Sequence, residues 1–309
     1  MKCKRCRRKA EVQLRHHNSA FCRDCFFLFF ERQVQRTIER EHMFTPEETV
    51  LVAVSGGKDS LALWDALHRL GYDAVGLHLA LGIGDYSRSS TEKTEAFARA
   101  RDLRLLTVRL EDDGVGVATV AQSTNRSPCA ACGTTKRYYF DRVAVEHGFA
   151  VLATGHNLDD EAARLLGNVL HWQLPYLAKQ RPVLEPNHPR FVRKVKPLCR
   201  VMELETAVYA FFRGIDYVLD ECPNSTGATQ LAYKDAMNRL EVAMPGTKLM
   251  FVQEFARSAQ PAFTAHAPTG TPGTCERCGM PAFGTLCSFC RLVGEVEARR
   301  GGGRRAAGA

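Results

Sequence analysis

Residues 49–60 of the chain read TVLVAVSGGKDS, an apolar run that ends in two glycines, a lysine and an aspartate. The aliphatic residues from Leu51 to Val54 predict a short buried strand of a parallel sheet. From Lys58 to Leu70, apolar residues at helical spacing predict a helix. A glycine-rich turn between a strand and a helix directs backbone N–H groups and the positive end of the helix at one point. The stretch therefore predicts a phosphate site.

Two common nucleotide loops do not fit this stretch. A Walker A loop requires a glycine five residues before Gly57 and a serine or threonine after Lys58, where this chain has Val52 and Asp59. A dinucleotide fingerprint starting at Gly82 lacks its third glycine, because position 87 is a serine. The segment 55–60 instead resembles the SGGxDS loop of the PP-loop ATP pyrophosphatases.

The ligand predicted for this loop is Mg-ATP. Gly56 and Gly57 allow the pyrophosphate to approach the backbone closely, and Lys58 supplies a point charge for the phosphates. Asp59 would repel the phosphates unless it held Mg²⁺. The hydroxyl groups of Ser55 and Ser60 are further donors to the pyrophosphate.

The rest of the core predicts a doubly wound parallel α/β sheet. Strands are expected over 73–81, 103–110 and 149–154, with helices over 90–101 and after 157, and ligands in such sheets bind at the carboxyl ends of the strands. The loops after the strands, with His78 and His156, would share that edge. The predicted ATP-binding residues are Ala53, Val54, Ser55, Gly56, Gly57, Lys58, Asp59, Ser60, His78, Leu79, Gly155, His156 and Asp160.

The chain has 12 cysteines. It shows neither the apolar segment of a secretory signal nor an apolar run long enough to span a bilayer, so we expect a cytoplasmic protein without membrane contact. In such a reducing compartment, cysteines serve metal binding or catalysis. Eight of them form paired C-x-x-C motifs, which predict two structural zinc sites that supply the folding free energy of their short modules. The predicted ligands are Cys3, Cys6, Cys22 and Cys25 at the first site, and Cys275, Cys278, Cys287 and Cys290 at the second.

The four remaining cysteines do not form such a group. Cys129 and Cys132 make a third C-x-x-C, and Cys222 is their predicted partner. Three thiolates without a fourth are typical of an iron–sulfur site with one open iron, or of a redox pair with an accessory thiol, and both interpretations stay open. Cys199 is expected to be a small buried apolar residue.

The SGGKDS loop, the C-A-A-C pair at 129–132, the GHNLDDEA segment at 155–162 and the two cysteine modules together resemble the TtuA group of PP-loop tRNA 2-thiolation enzymes. The likeness covers about residues 1–292. It implies a PP-loop ATP pyrophosphatase fold, of the adenine nucleotide alpha hydrolase-like class, flanked by amino- and carboxyl-terminal zinc modules. Further matching stretches are LLGNVLHWQLPYLAKQRP, FVRKVKPL, ECPNSTGATQLAYK and PGTK.

The resemblance implies an enzyme, a tRNA sulfurtransferase. ATP would adenylate the C2 oxygen of the T-loop 5-methyluridine, and sulfur would then displace AMP; wobble uridine is the alternative target. A 4Fe-4S cluster on Cys129, Cys132 and Cys222 would bind sulfide at its free iron, with persulfide chemistry at these cysteines as the variant. The sulfur would arrive as a thiocarboxylate on a ubiquitin-like carrier protein, and the enzyme would be a homodimer. The catalytic residues expected are Asp59, Lys136 and Asp160 with the three cysteines; a solvated helix lysine is the plain alternative for Lys136.

Two other functions fit part of this sequence. A PP-loop lysidine synthetase or amidotransferase uses amine nitrogen and would not need the three cysteines. A zinc-ribbon RNA-binding adaptor would carry a vestigial nucleotide loop, and the intact Lys58 and Asp59 argue against it.

The net charge of +8 is unevenly distributed. Residues 1–44 carry 11 basic and 5 acidic side chains, and residues 181–200 carry 6 basic and 1 acidic. We expect residues 1–9 and 190–200 to contact the tRNA backbone, which provides affinity without sequence information. The predicted organisation is a zinc finger over 1–30, a linking helix over 31–48, a PP-loop domain with carboxyl-terminal helices over 49–262, a linker over 263–273, a zinc finger over 274–292 and a disordered basic tail over 293–309.

Overall fold

The computed structural model describes residues 1–124, 126–225, 229–267 and 270–306, with the backbone alone over 300–306. Within these ranges, no helix is both long and apolar enough to cross a membrane. Parts of the expected linker, at 268–269, and of the expected tail, at 307–309, lie outside the described residues.

The amino-terminal module is a two-stranded ribbon followed by a long helix. Strand β1 (Val12–Leu14) pairs antiparallel with β2 (Ser19–Phe21), and α1 spans Arg23–Arg40. The helix begins before the expected start of the linking helix at 31, because its buried face runs unbroken from Phe26 to Ile38. Residues 41–48, expected to continue the helix, lie beyond its end.

The described chain contains a central sheet of six strands in the order β5-β4-β3-β6-β8-β7. Strands β3, β4, β5, β6 and β8 are parallel, and β7 joins β8 antiparallel at one edge. The predicted doubly wound sheet is confirmed, and the antiparallel edge strand is an addition that sequence patterning did not indicate. The strands are β3 (Val50–Ala53), β4 (Ala74–Ala80), β5 (Leu105–Arg109), β6 (Val151–Thr154), β7 (Val183–Leu184) and β8 (Arg193–Val195).

Helices cover both faces of the sheet because its strand residues alternate between two cores. Val50 and Val52 point into a core shared with α1, α2, α3 and α8, in which Trp64 and Tyr209 are fully buried. Leu51 points into the opposite core, with α4, α5 and α12. The helices that follow α1 in the described chain are α2 (Lys58–Arg69), α3 (Gly84–Ala100), α4 (Val117–Ser123), α5 (Pro128–Glu146), α6 (Leu158–Leu170), α7 (Leu174–Leu177), α8 (Glu203–Phe212), α9 (Thr229–Ala243), α10 (Thr247–Glu254), α11 (Gln260–Phe263) and α12 (Ser288–Ala306).

The carboxyl-terminal module packs on the second core rather than standing apart. Its short ribbon pairs β9 (Gly273–Thr274) with β10 (Pro281–Ala282), and α12 follows. Leu292 and Val296 of α12 are buried in the core with α5, so the helix continues into the region expected to be a disordered tail from 293 and is described as far as Ala306.

Candidate active site

The SGGKDS loop lies where β3 ends, in the middle of the sheet. In register, Ala53 of β3 is paired with Leu77 of β4 and Thr154 of β6, so the loops after all three strands meet at one edge. Helix α2 begins at Lys58, and within the described structure no side chain caps its first turn. Its N–H groups are therefore free to bind an anion, as the sequence predicts for a phosphate site.

Two glycines permit the close contacts of this loop. Gly56 has φ +77°, and an added Cβ there would lie 2.8 Å from the carbonyl oxygen of Ser90 on α3. An added Cβ at Gly155, after β6, would lie 2.9 Å from the backbone N of Ser60. The loop is thus wedged between α3 and the segment that follows β6, and a side chain at either glycine would displace it.

A small cavity of about 80 Å³ opens beside the loop, and apolar and polar groups share its wall. It brings together predicted ATP-binding residues with Lys136, a predicted catalytic residue. Tyr86, Ser87 and Ser90 of α3 also line it, although sequence reasoning assigned none of them. The lining residues are Ala53, Val54, Ser55, Leu79, Leu81, Tyr86, Ser87, Ser90, Lys136 and Phe140.

The two histidines expected at this edge differ in their surroundings. His78 is buried, with its Nδ1 2.9 Å from the carbonyl oxygen of Val54 and its Nε2 2.9 Å from the hydroxyl of Thr91. Both nitrogens of its ring therefore have partners within the protein, and burial lowers the pKa of the imidazole. His156 is held 2.8 Å from the hydroxyl of Thr154, and burial together with nearby positive charges lowers its pKa too.

A chain of alternating charges crosses the mouth of the site. Lys58 Nζ lies 3.1 Å from Oδ2 of Asp59 and 2.5 Å from Oε1 of Glu203. The other oxygen of Glu203 is 2.8 Å from Nζ of Lys234, which is also 2.9 Å from Oδ1 of Asp160. Asp59 and Asp160, both predicted to be catalytic residues, are thus joined through three intervening charges.

The pKa shifts follow from these contacts. Burial opposes the charge of Glu203, but Lys234 and Lys58 outweigh it and lower the pKa of the carboxyl to about 2. The carboxylates raise the pKa of Lys234 against the effect of burial. For Asp59, burial outweighs the attraction of Lys58 and raises the pKa. The site therefore stabilises the charged form of Glu203, whereas burial disfavours the charged form of Asp59 despite its contact with Lys58.

Helix α8 contributes groups that sequence reasoning missed. Glu203 stands at its start, and the hydroxyl of Thr206 donates a hydrogen bond to Asp59. Asn157 caps α6 and shares a capping box with Asp160, so the neighbouring Asp159 is free of that role. The Asp159 carboxylate instead accepts from the backbone N of Glu203. No motif signals these contacts, since α8 is remote from the loop in sequence.

The third cysteine pair lies in the first turns of α5. Ser127 caps this helix, and spacings of three and four residues bring Cys129, Cys132 and Lys136 to one face. Lys136 lies near enough to the Cys132 thiol for its charge to favour the thiolate. A helix amino terminus and a lysine both favour thiolates, although burial dominates at Cys132 and raises its pKa.

Cys222 approaches this face from another element. The Cys129 thiol donates to the carbonyl oxygen of Asn224, 3.1 Å away, and burial and the charges of Cys132 and Cys222 raise the pKa of Tyr86. Tyr86, which lines the small cavity beside the SGGKDS loop (the nucleotide cavity), therefore also lies near the cysteines. The sulfurs of Cys129, Cys132 and Cys222 do not all lie within 4.8 Å of one another, unlike the sulfurs of each four-cysteine group. The three sulfurs therefore do not have the geometry of a single-ion site.

The two four-cysteine groups have the geometry of single-ion sites. In each of these predicted sets, the four sulfurs lie within 4.8 Å of one another. Cys6 and Cys22 are 3.5 Å apart and Cys278 and Cys287 are 3.8 Å apart, where a tetrahedron of Zn–S bonds requires about 3.8 Å. Burial raises the pKa of Cys3, but backbone N–H groups outweigh it and lower that pKa to about 6. Both sets therefore fit Zn²⁺.

Comparisons with known families agree with this arrangement. The model of the PP-loop domain matches residues 28–232. The model of the amino-terminal LIM domain of the 2-thiouridine synthetase TtuA matches residues 2–27. The two matches adjoin one another and together cover the first cysteine module and the nucleotide-binding core.

Relatives match over nearly their whole length. The tRNA-5-methyluridine(54) 2-sulfurtransferase of Thermus thermophilus is 50% identical over 97% of this chain and 93% of its own. The enzyme of the same name from Pyrococcus horikoshii is 42% identical over 95% of this chain and 94% of its own. Among solved structures, the U34-tRNA thiolase NcsA of Methanococcus maripaludis, with its 4Fe-4S cluster, matches with a TM-score of 0.77 and 25% identity, over 96% of each chain.

Proposed function

The chain belongs to the TtuA group of PP-loop tRNA 2-thiolation enzymes, and we propose that it converts 5-methyluridine 54 of tRNA to 5-methyl-2-thiouridine. The observation that carries this proposal is the position of Lys136. It lines the cavity beside the SGGKDS loop, and its charge also acts on the Cys132 thiol, where it favours the thiolate against the effect of burial. Activation of a base by ATP and delivery of sulfur to that base must occur at one place, and this lysine lies where the two meet.

In the first half-reaction, the C2 oxygen of the base attacks the α-phosphorus of ATP, and the bond to pyrophosphate breaks. The free N–H groups of α2 and Lys58 bind the phosphates, which become more negative on the leaving group. Asp59 and Asp160 are the residues that would hold Mg²⁺, which would neutralise the phosphates when bound. Lys136 stabilises the negative charge that builds up on the phosphates as the base oxygen attacks.

In the second half-reaction, sulfur adds to C2 and AMP leaves with the original oxygen. Cys129, Cys132 and Cys222 are the residues that would hold a 4Fe-4S cluster, and this donor set leaves one iron able to bind sulfide. Such a cluster would supply sulfur without the formation of a cysteine persulfide. Two Zn²⁺ ions in the four-cysteine modules have a structural role, since neither module has an open coordination position.

Several partners follow from the family resemblance. We propose that the sulfur arrives as the thiocarboxylate of a ubiquitin-like carrier protein, that the enzyme is a homodimer and that it acts in the cytoplasm. For tRNA, exposed basic residues over 2–9 support contact with the phosphate backbone. The support from 190–200 is weaker than the sequence suggests, because Lys194 and Lys196 contact Asp141 and Glu161 within the protein at 2.7 and 2.8 Å.

A second target is supported by the NcsA likeness, since that protein is a U34-tRNA thiolase. The deciding experiment combines anaerobically prepared enzyme, Mg-ATP, sulfide and tRNA that carries 5-methyluridine 54 but no thiolation. Mass spectrometry of ribonuclease fragments then locates the sulfur. We expect it in the T-loop fragment, with AMP released in equal amount. Sulfur in the anticodon fragment would favour wobble uridine, and AMP without RNA thiolation would contradict both targets.

A further inference from the structure

Lys234 lies on α9 and is part of the series of ion pairs that begins at the nucleotide loop. Its ammonium is 2.9 Å from Oδ1 of Asp160 and 2.8 Å from Oε2 of Glu203. Glu203 in turn is 2.5 Å from Lys58 Nζ through its other oxygen. The side chain of Lys234 is only 20% exposed, so water screens these contacts incompletely. One carboxylate thus joins the lysine of the nucleotide loop to a lysine of the carboxyl-terminal helices.

The position of Lys234 is fixed by contacts on its own helix. The Tyr233 ring lies so close to α6 that a Cβ added at Gly167 would come within 2.8 Å of it. Gln230 donates a hydrogen bond to the carbonyl oxygen of Asp160, 3.3 Å away. Residues on the same stretch of α9 therefore bind the helix whose first turn carries Asp160, and Lys234 cannot shift far from that carboxylate.

Removal of this ammonium would leave two carboxylates facing one another. Asp160 and Glu203 both lie within 3 Å of the same nitrogen, so without it their like charges would repel. This repulsion would change the orientation of the Asp160 carboxylate. Because Glu203 also binds Lys58, the change would pass to the loop that receives the phosphates.

We propose that Lys234 and Glu203 are positioning residues for the adenylation step: Lys234 holds the Asp160 carboxylate, and Glu203 holds the Lys58 ammonium, in the orientations in which Mg-ATP meets them. The inference rests on the proposed function, because it assigns roles within the same site. Neither residue is required to touch the base. Their effect is on the groups that bind the metal and the phosphates.

The test compares Lys234→Met with Arg239→Met, a matched control on the same helix. Arg239 pairs with Asp235 at the surface and is 81% exposed. We expect Lys234→Met to lower kcat for AMP release by about tenfold or more, with KM for ATP changed less than about threefold, while Arg239→Met stays at the wild-type rate. Lys234→Arg should recover most of the rate. A role in folding alone would lower Tm and leave kcat of the folded protein unchanged, which would overturn the proposal.

A double-mutant cycle with Glu203→Gln provides the second readout. If both residues act through one network, the double variant should be about as active as the poorer single variant; independent losses that multiply would contradict the network. A wild-type protein that released no AMP would contradict the proposed function instead. The Mg²⁺ dependence of ATP binding by calorimetry would then decide the inference. Lys234→Met should need a higher Mg²⁺ concentration than wild type and Arg239→Met to reach the same ATP affinity, and an equal Mg²⁺ requirement in all three would overturn it.

Discussion

Phe289 of the carboxyl-terminal cysteine module stacks on Tyr138 of α5, with ring centroids 3.9 Å apart and planes within 12° of parallel. Tyr138 lies on the same helix as Cys129, Cys132 and Lys136, but toward the second core. Phe289 follows directly after the first residue of α12 and is itself buried. The module therefore packs against the side of α5 opposite Cys129, Cys132 and Lys136 and supports the helix that carries them.

Replacement of Phe289 by alanine tests this support. A buried phenylalanine lost from a packed core costs about 3 kcal/mol or more, so we expect the free energy of unfolding in urea to fall by about that amount. Iron content should fall too, because α5 loses its backing. Phe283→Ala is the matched control within the module, since that side chain is 66% exposed and should change little. Equal stability and iron content in the two variants would contradict the role assigned to the stacked pair.

The assignment of Cys222 to a cluster makes a prediction about metal content. Cys222→Ser removes one of three thiolates, so anaerobically purified protein should lose its brown colour and its complement of about four iron atoms. The zinc content should stay at the wild-type level, because the two four-cysteine groups are separate from the trio.

Cys199→Ala is the control for this experiment, because Cys199 is buried and belongs to none of the described groups. It should keep both metals. Wild-type protein that stayed colourless under anaerobic conditions and resisted reconstitution with iron and sulfide would contradict the cluster and favour persulfide chemistry.

Local sequence was sufficient to predict the core of the site. The strand, the glycine turn and the helix over 49–70 follow one another directly in the chain, so their pattern is visible in the sequence. The cysteine groups were likewise predictable from spacing. The contacts of Glu203 and Lys234 could not be predicted from the sequence, since they form only when α8 and α9 meet the loop in three dimensions. For the same reason, the basic count over 181–200 could not reveal that Lys194 and Lys196 neutralise buried carboxylates.

Lys136 should be essential for the chemistry rather than for folding. Lys136→Met removes a charge that faces both the nucleotide cavity and Cys132, and loss of one stabilising group of this kind typically lowers kcat by about 100-fold or more. Arg137→Met, at the next position of α5, is the control and should remain active. The measurement is the rate of 2-thiouridine formation at saturating ATP. A rate within about threefold of wild type would return Lys136 to the status of a solvated helix lysine.

Glu203 should also make the stability of the fold depend on pH. Its pKa is lowered from 4.5 to about 2 in the folded protein. A carboxyl with a depressed folded pKa stabilises the fold above its unfolded pKa, and that contribution disappears as the pH falls from 4.5 to 2. The shift corresponds to a contribution of about 3 kcal/mol at neutral pH.

Urea unfolding of wild type and Glu203→Gln over this acidic range isolates the contribution, because loss of zinc and the titration of other carboxylates affect both proteins. We expect the wild type to be the more stable at neutral pH and the two curves to converge as the pH approaches 2. A difference that stays constant with pH would show that Glu203 acts through packing alone. In that case, its contacts with Lys58 and Lys234 would not be the source of its stabilising effect.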